Sequence, residues 1–166
     1  MGRLLLLRHA KAGWAEPGMR DFDRGLDGNG FQEATRMGAA LREAGYVPDH
    51  AICSTARRAR ETWERVGRES GFSGRVTMAE TLYSTDAAGY LGLIRGFEDA
   101  RSLIVVGHNP MTEDVAFALA NDGRAHDKLG QGFPTAGLAV IDFEGPWSDL
   151  SPGAGRLVAF LTPADL

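Results

Sequence analysis

The feature that most constrains this chain is a repeated alternation of short apolar runs with longer segments of helical period. Leu4 to Leu7, held between Arg3 and Arg8, has no polar residue at any position. A strand that faces water on one side alternates apolar and polar residues. One that is apolar throughout is buried on both faces, which is the mark of a sheet covered by helices on each side. Arg3 to Leu7 therefore reads as an interior strand. Asp27 offers an N-cap for a helix from about Gly30 to Ala44, with Gly45 as its stop. Ala51 to Cys53 is a second strand, followed by a helix over Thr55 to Glu69. A weak strand at Val76 to Met78 precedes a helix from Ala87 to Phe97, capped by Asp86. Ser102 to Val106 is the clearest strand. Pro110 suits the first turn of a helix reaching about Asn121. Leu138 to Phe143 and Leu157 to Leu161 are the last strands. Residues 10–26 and 122–134 read as loops, the second polar and Gly-rich. This order predicts an α/β fold in three layers, α/β/α, around a mostly parallel sheet.

At 166 residues a single domain over 1–166 is expected. The one cysteine, Cys53, excludes an internal disulfide and a cysteine-based zinc site. A net charge of −4 argues against a nucleic-acid or membrane binder. No segment has the length of a signal-peptide core or a membrane span, so a cytoplasmic setting is expected.

In open α/β sheets, ligands bind just beyond the carboxyl ends of the strands. The first strand ends in Arg8-His9. The second runs into Cys53-Ser54 and a helix bearing Arg57 and Arg58, and the strand at 102–106 ends in Gly107-His108-Asn109-Pro110. Two imidazoles and several guanidinium groups thus converge on one sheet edge. Guanidinium binds phosphate oxygens bidentately at every relevant pH, and helix N-termini add N–H donors. A neutral imidazole is a competent nucleophile toward phosphorus. The constellation suits phosphoryl transfer, where positioning and electrostatics do most of the work.

These residues carry a resemblance. Leu7-Arg8-His9-Ala10 resembles the Arg-His-Gly signature of the histidine phosphatase (phosphoglycerate mutase-like) superfamily, with Ala10 in place of Gly. Ser54-Thr55-Ala56-Arg57-Arg58-Ala59-Arg60-Glu61-Thr62 is similar to its S-x-x-x-R-A-x-x-T segment and singles out Arg58. Gly107-His108-Asn109-Pro110 is similar to its second-histidine motif. The motifs occur in the family order and span essentially the whole chain. Arg8-His9-Ala10-Lys11-Ala12 and Asp23-Arg24-Gly25-Leu26 resemble the short SixA-like branch, the phosphohistidine phosphatases.

The resemblance implies a phosphoglycerate mutase-like fold in a minimal version without a large helical insertion. It implies His9 as the nucleophile, with Arg8, Arg58 and His108 holding the phosphoryl group and Asn109 beside it. No cofactor is expected, and the guanidinium neighbours of His9 and His108 oppose a metal ion shared between them. The partner would be a protein bearing phosphohistidine or a small phosphorylated molecule.

Two departures bear on mechanism. Trp14 is followed by Ala15, where mutase-type members carry Asn. Glu80 falls where the family often places an acidic donor, and Asp21 and Asp23 are rivals for that role. A phosphohistidine leaving group is an imidazole and needs less help from an acid than an alkoxide does. The alternatives are a broad small-molecule phosphomonoesterase, a catalytically weak phospho-ligand binding module, and, less well matched, a mutase. Among the other residues, Arg57 and Arg60 read as solvated helix face and Lys11 as rim. His50 and His126 read as bystanders, Cys53 as a small buried hydrophobe, and Trp14 and Trp63 as packing residues. A cysteine phosphatase is excluded by register, since the arginine it requires falls at Ala59.

Overall fold

The computed structural model describes residues 1–120 and 122–166. Six strands form one sheet: β1 (Gly2–Arg8), β2 (His50–Ser54), β3 (Arg75–Ala79), β4 (Ser102–Gly107), β5 (Leu138–Phe143) and β6 (Gly155–Leu161), in the spatial order β3-β2-β4-β1-β5-β6. The first four of that order run parallel. β5 is antiparallel to both β1 and β6, so it alone is reversed. The expectation of a mostly parallel sheet is met.

The two faces of β1 enter two different cores, as an unbroken apolar run requires. Leu5 and Leu7 pack with Ala34, Met37 and Leu41 of α1 (Gly28–Ala44) and with Ala59, Trp63 and Val66 of α2 (Arg57–Ser70). Leu4 and Leu6 pack on the opposite side. Their partners there come from α3 (Thr81–Ser84), α4 (Ala87–Arg95), α5 (Met111–Leu119) and α6 (Gly123–Leu129). The result is the three-layer α/β/α arrangement. Between β3 and β4, where a larger insertion would enter, there are only the short α3 and α4.

The caps behave as the sequence suggests. Asp27 accepts from Gly30 N–H at 2.8 Å, and Asp86 accepts from Gly89 N–H at 2.9 Å. Gly45 closes α1 with φ of 73°, a left-handed conformation that favours glycine.

Three expectations change. The stretch 122–134 is not all loop, because it contains α6. Asp122 caps Ala125 N–H at 2.8 Å, and Ala125 and Leu129, four apart, bury one face. One turn of apolar spacing inside a polar run is too faint a period to see in sequence. α3 was likewise not expected, its single buried residue being Leu82. α4 stops at Arg95 rather than Phe97, because Gly96 follows. α5 ends at Leu119, and the Asn121 boundary lies outside the described residues.

Candidate active site

The strand register sets the site. β4 lies between β1 and β2, with Arg8 opposite Gly107 and Cys53 opposite Val106. Ser54, the last residue of β2, and His9 and His108, just past the ends of β1 and β4, therefore emerge side by side. The two imidazole centroids are 5.3 Å apart. Both histidines are buried, at 8% and 5% exposure, and Arg58 is 8% exposed.

His9 is held from several directions. Its backbone N–H donates to Gly107 O at 3.0 Å. Ala10 N–H donates to Thr62 Oγ1 at 2.9 Å, and that hydroxyl donates to Arg58 O at 2.7 Å. The His9 ring places Nδ1 2.7 Å from Ala10 O. A carbonyl can only accept, so Nδ1 carries the proton and the Nε2 lone pair is left free. Burial, helped by the neighbouring His108, Arg58 and Arg8, lowers the His9 pKa to about 3. The ring is therefore neutral across the physiological range.

His108 is set by a second chain of contacts. Its backbone N–H donates to Tyr90 Oη at 2.9 Å, and that hydroxyl donates to Leu82 O at 2.9 Å. Gly107 makes this possible, since a Cβ there would lie 2.6 Å from the Tyr90 hydroxyl. The His108 Nε2 is 2.8 Å from Ser54 Oγ, while its buried Nδ1 has no partner. Burial, with Arg58 adding to it, lowers the His108 pKa to about 4.

The arginines are held by different segments of the chain. Arg8 Nη1 donates to Phe133 O at 2.8 Å, and its buried Nε has no partner. Arg58 donates from Nη1 to Asp21 O at 2.9 Å and from Nη2 to Asp21 Oδ2 at 3.1 Å. Tyr83 Oη donates to the same Asp21 oxygen at 2.7 Å. The Tyr83 ring stands edge-on to His108, with centroids 5.6 Å apart, and Arg58 lies 5.7 Å from the Tyr83 centroid. An unmade hydrogen bond on a buried group costs roughly 1–3 kcal/mol. The partnerless Arg8 Nε marks where an acceptor would be welcome, and the partnerless His108 Nδ1 where a further hydrogen-bond partner would be.

Residues 4–95, more than half the chain, match the profile of the histidine phosphatase superfamily (branch 1). The chain belongs to that superfamily. As a histidine phosphatase it is a phosphatase in enzyme class. It is 38% identical to a candidate phosphohistidine phosphatase SixA from Agrobacterium tumefaciens, with a TM-score of 0.87 over 98% of each chain. A second candidate SixA, from Nakamurella multipartitia, is 30% identical with a TM-score of 0.86, covering 98% of this chain and 96% of that one. An uncharacterized protein of Mycobacterium tuberculosis is 35% identical over 95% of this chain and 99% of its own length.

The histidine phosphatase thus brings His9, His108, Arg8 and Arg58 to one place. Asn109 is adjacent: its Nδ2 donates to Phe133 O at 3.1 Å, the carbonyl that also takes Arg8. Glu80 is exposed on the turn from β3 into α3, and no hydrogen bond joins its side chain to the cluster among the described residues. Asp23 is engaged with Arg20 at 2.9 Å. Of the three acidic candidates, Asp21 is the one in contact with Arg58.

Tyr83 and Ser54 were not singled out from sequence. Tyr83 lies on a helix of one turn, and Ser54 sat within a motif read for its arginine. Among the described residues, no group of three or more His, Cys, Asp or Glu side chains could hold a metal ion. Trp14 corrects its reading as a packing residue, because it is 95% exposed. Trp63 is 6% exposed and packs as expected. Burial pushes the Cys53 thiol up to about 12, in keeping with a hydrophobic role. Among the described residues, no helix is long and apolar enough to cross a membrane.

Proposed function

We propose that this histidine phosphatase hydrolyses protein-borne phosphohistidine in the cytoplasm, through a transient phosphoryl group on His9. The observation that carries the reading is the fixed His9 tautomer. The Ala10 carbonyl holds the proton on Nδ1, so a neutral Nε2 lone pair stands beside a second imidazole and two guanidinium groups. Attack by Nε2 forms a P–N bond to His9 and breaks the P–N bond to the substrate ring. The electron pair of the broken bond returns to the leaving imidazole.

The phosphorylated His9 ring then bears both the phosphoryl group and the Nδ1 proton. It is cationic, and the Ala10 carbonyl supports that proton. Water attacks phosphorus next, and His9 leaves as the same neutral tautomer it began as. During both steps charge lies on the equatorial phosphoryl oxygens. The orphaned donors of Arg8 and His108, together with the free N–H groups of Arg58, are the groups that suit those oxygens. For His108 to donate from Nδ1, its Nε2 must accept. Ser54 Oγ can supply that proton, because it already accepts from Ala56 N–H at 3.3 Å.

Two further features support a protein-borne substrate. The connection from β3 to β4 is short and carries only α3 and α4. The 30–38% identity to candidate SixA chains adds to this.

The test is a substrate panel that includes a phosphohistidine-carrying protein, with His9→Ala as control. Wild-type protein should release phosphate and leave an acid-labile label on His9 in a rapid quench. Turnover that persists in His9→Ala would overturn the assignment.

A further inference from the structure

We propose that the carboxylate of Asp21 selects the leaving group, favouring substrates whose departing portion is cationic or neutral over those whose departing portion is anionic. The inference rests on the phosphoryl-transfer reading of the His9 site.

Asp21 begins the 3-10 turn Asp21–Asp23, on the long connection between β1 and α1. It grips Arg58 at two points, through its backbone carbonyl at 2.9 Å and its carboxylate at 3.1 Å. A guanidinium has five N–H donors. These two bonds take one from each terminal nitrogen and leave three, so Asp21 does not displace the phosphoryl group from Arg58. It remains there while substrate binds.

Its carboxylate is also committed to the ionised form. Tyr83 Oη donates to Oδ2 at 2.7 Å, and Arg24 lies 3.4 Å from Oδ1. The Tyr83 hydrogen bond, with Arg58 and Arg24, holds Asp21 below the usual carboxylate range. Such a group is a poor proton donor, which removes it as the general acid. It is instead a fixed negative charge.

Its location gives that charge a consequence. The Arg58 side chain is 10% exposed, whereas that of Asp21 is 52% exposed. The ion pair therefore runs from a buried guanidinium, close enough to His9 and His108 to lower both imidazoles, to a carboxylate that meets solvent. A phosphoryl group held by Arg58 at the buried His9 leaves its remaining atoms toward solvent, where the carboxylate bound to that same arginine supplies a negative charge. An ester whose alcohol bears a carboxylate or second phosphate meets repulsion there.

A phosphorylated imidazole behaves differently. Its reactive form is protonated on the ring nitrogen that does not carry phosphorus. That form is cationic, and it departs as a neutral imidazole when the P–N bond breaks. A nearby carboxylate favours the protonated form. The same charge thus admits one class and discourages the other, in a site where no strong acid stands ready for an alkoxide.

Asp21→Asn removes the charge and keeps the backbone contact to Arg58 and an acceptor for Tyr83. Asp23→Asn makes the same change in net charge at a residue bonded to Arg20 instead. The measurement is kcat/KM for phosphohistidine, phenyl phosphate and 4-carboxyphenyl phosphate, at low and high salt. In Asp21→Asn the ratio of carboxyphenyl to phenyl phosphate should rise about three- to tenfold at low salt. The ratio of phosphohistidine to phenyl phosphate should fall by a similar factor. Asp23→Asn should keep both ratios at the wild-type values.

A general disturbance of Arg58 slows all substrates alike and cancels in these ratios. Unchanged ratios in Asp21→Asn would refute the selection role. If wild-type protein fails to act on phosphohistidine, the proposed substrate is wrong. The pair of aryl phosphates then still decides the role of Asp21.

Discussion

His9 and His108 should make the folded state acid-sensitive by an amount that can be calculated. Burial holds their pKa values near 3 and near 4. In the unfolded chain each returns to about 6.5. Below that value the unfolded chain binds protons that the folded state refuses. Stability is therefore fully present above about pH 6.5 and is lost as pH falls toward the folded values. At pH 5 each ring lies about 1.5 units below its unfolded pKa, at 1.36 kcal/mol per unit, so each contributes a loss of about 2 kcal/mol. The pair together removes about 4 kcal/mol, against the 5–15 kcal/mol typical of a domain.

The assay is urea unfolding followed by tryptophan fluorescence, for which buried Trp63 and Trp147 are natural reporters. Wild type, His9→Asn and His108→Asn are compared at pH 7.5, 6.5, 5.5 and 5.0. Whatever its stability at pH 7.5, each variant should gain about 2 kcal/mol on wild type by pH 5. Carboxylates and the histidines outside this pair contribute equally to all three proteins and drop out of the difference. A difference that stays constant across this range would show that the rings are not held neutral by the fold.

Three other changes are informative. Ser54→Ala removes the hydrogen-bond partner of the His108 Nε2, and kcat/KM should fall about 10- to 100-fold with little change in unfolding midpoint. Gly107→Ala forces a Cβ against the Tyr90 hydroxyl and its bond to His108. It should cost about 1–3 kcal/mol by denaturant titration, along with most of the activity. Trp14→Ala should alter stability by less than about 0.5 kcal/mol, because the ring is solvated; a larger loss would reveal a packing role after all.

The framework of the molecule is readable because the interior of β1 is apolar at every position, β4 nearly so, and α1 and α4 are capped by Asp27 and Asp86. Those signals are local, and the three motif segments sit at strand ends that the register then aligns. What was hidden depends on contacts across long sequence separations. Tyr83 matters because the turn at Asp21, 62 residues earlier, presents a carboxylate to its hydroxyl. Ser54 matters because β2 and β4 are neighbours. Asp21, Asp23 and Glu80 are equivalent as letters, and only the fold separates the carboxylate on Arg58 from the one on Arg20 and the one in solvent. α6 escaped notice because one turn cannot establish a period.

The connection that follows β1 also has an evolutionary consequence. Ala12 and Leu26 form a β-bridge, Gly13 N–H donates to Gly25 O at 2.9 Å, and Asp27 N–H donates to Lys11 O at 3.1 Å. Both feet of the loop are thus tied to each other and to the start of α1. The cost of lengthening a closed loop grows only slowly, by about 0.6 kcal/mol per doubling. The span from Trp14 to Arg24 can therefore be exchanged as a cassette while His9 keeps its position. Since Asp21 lies within that cassette and holds Arg58, drift in this one segment changes substrate preference through the setting of a single arginine, while the backbone anchors of His9 and His108 lie outside it.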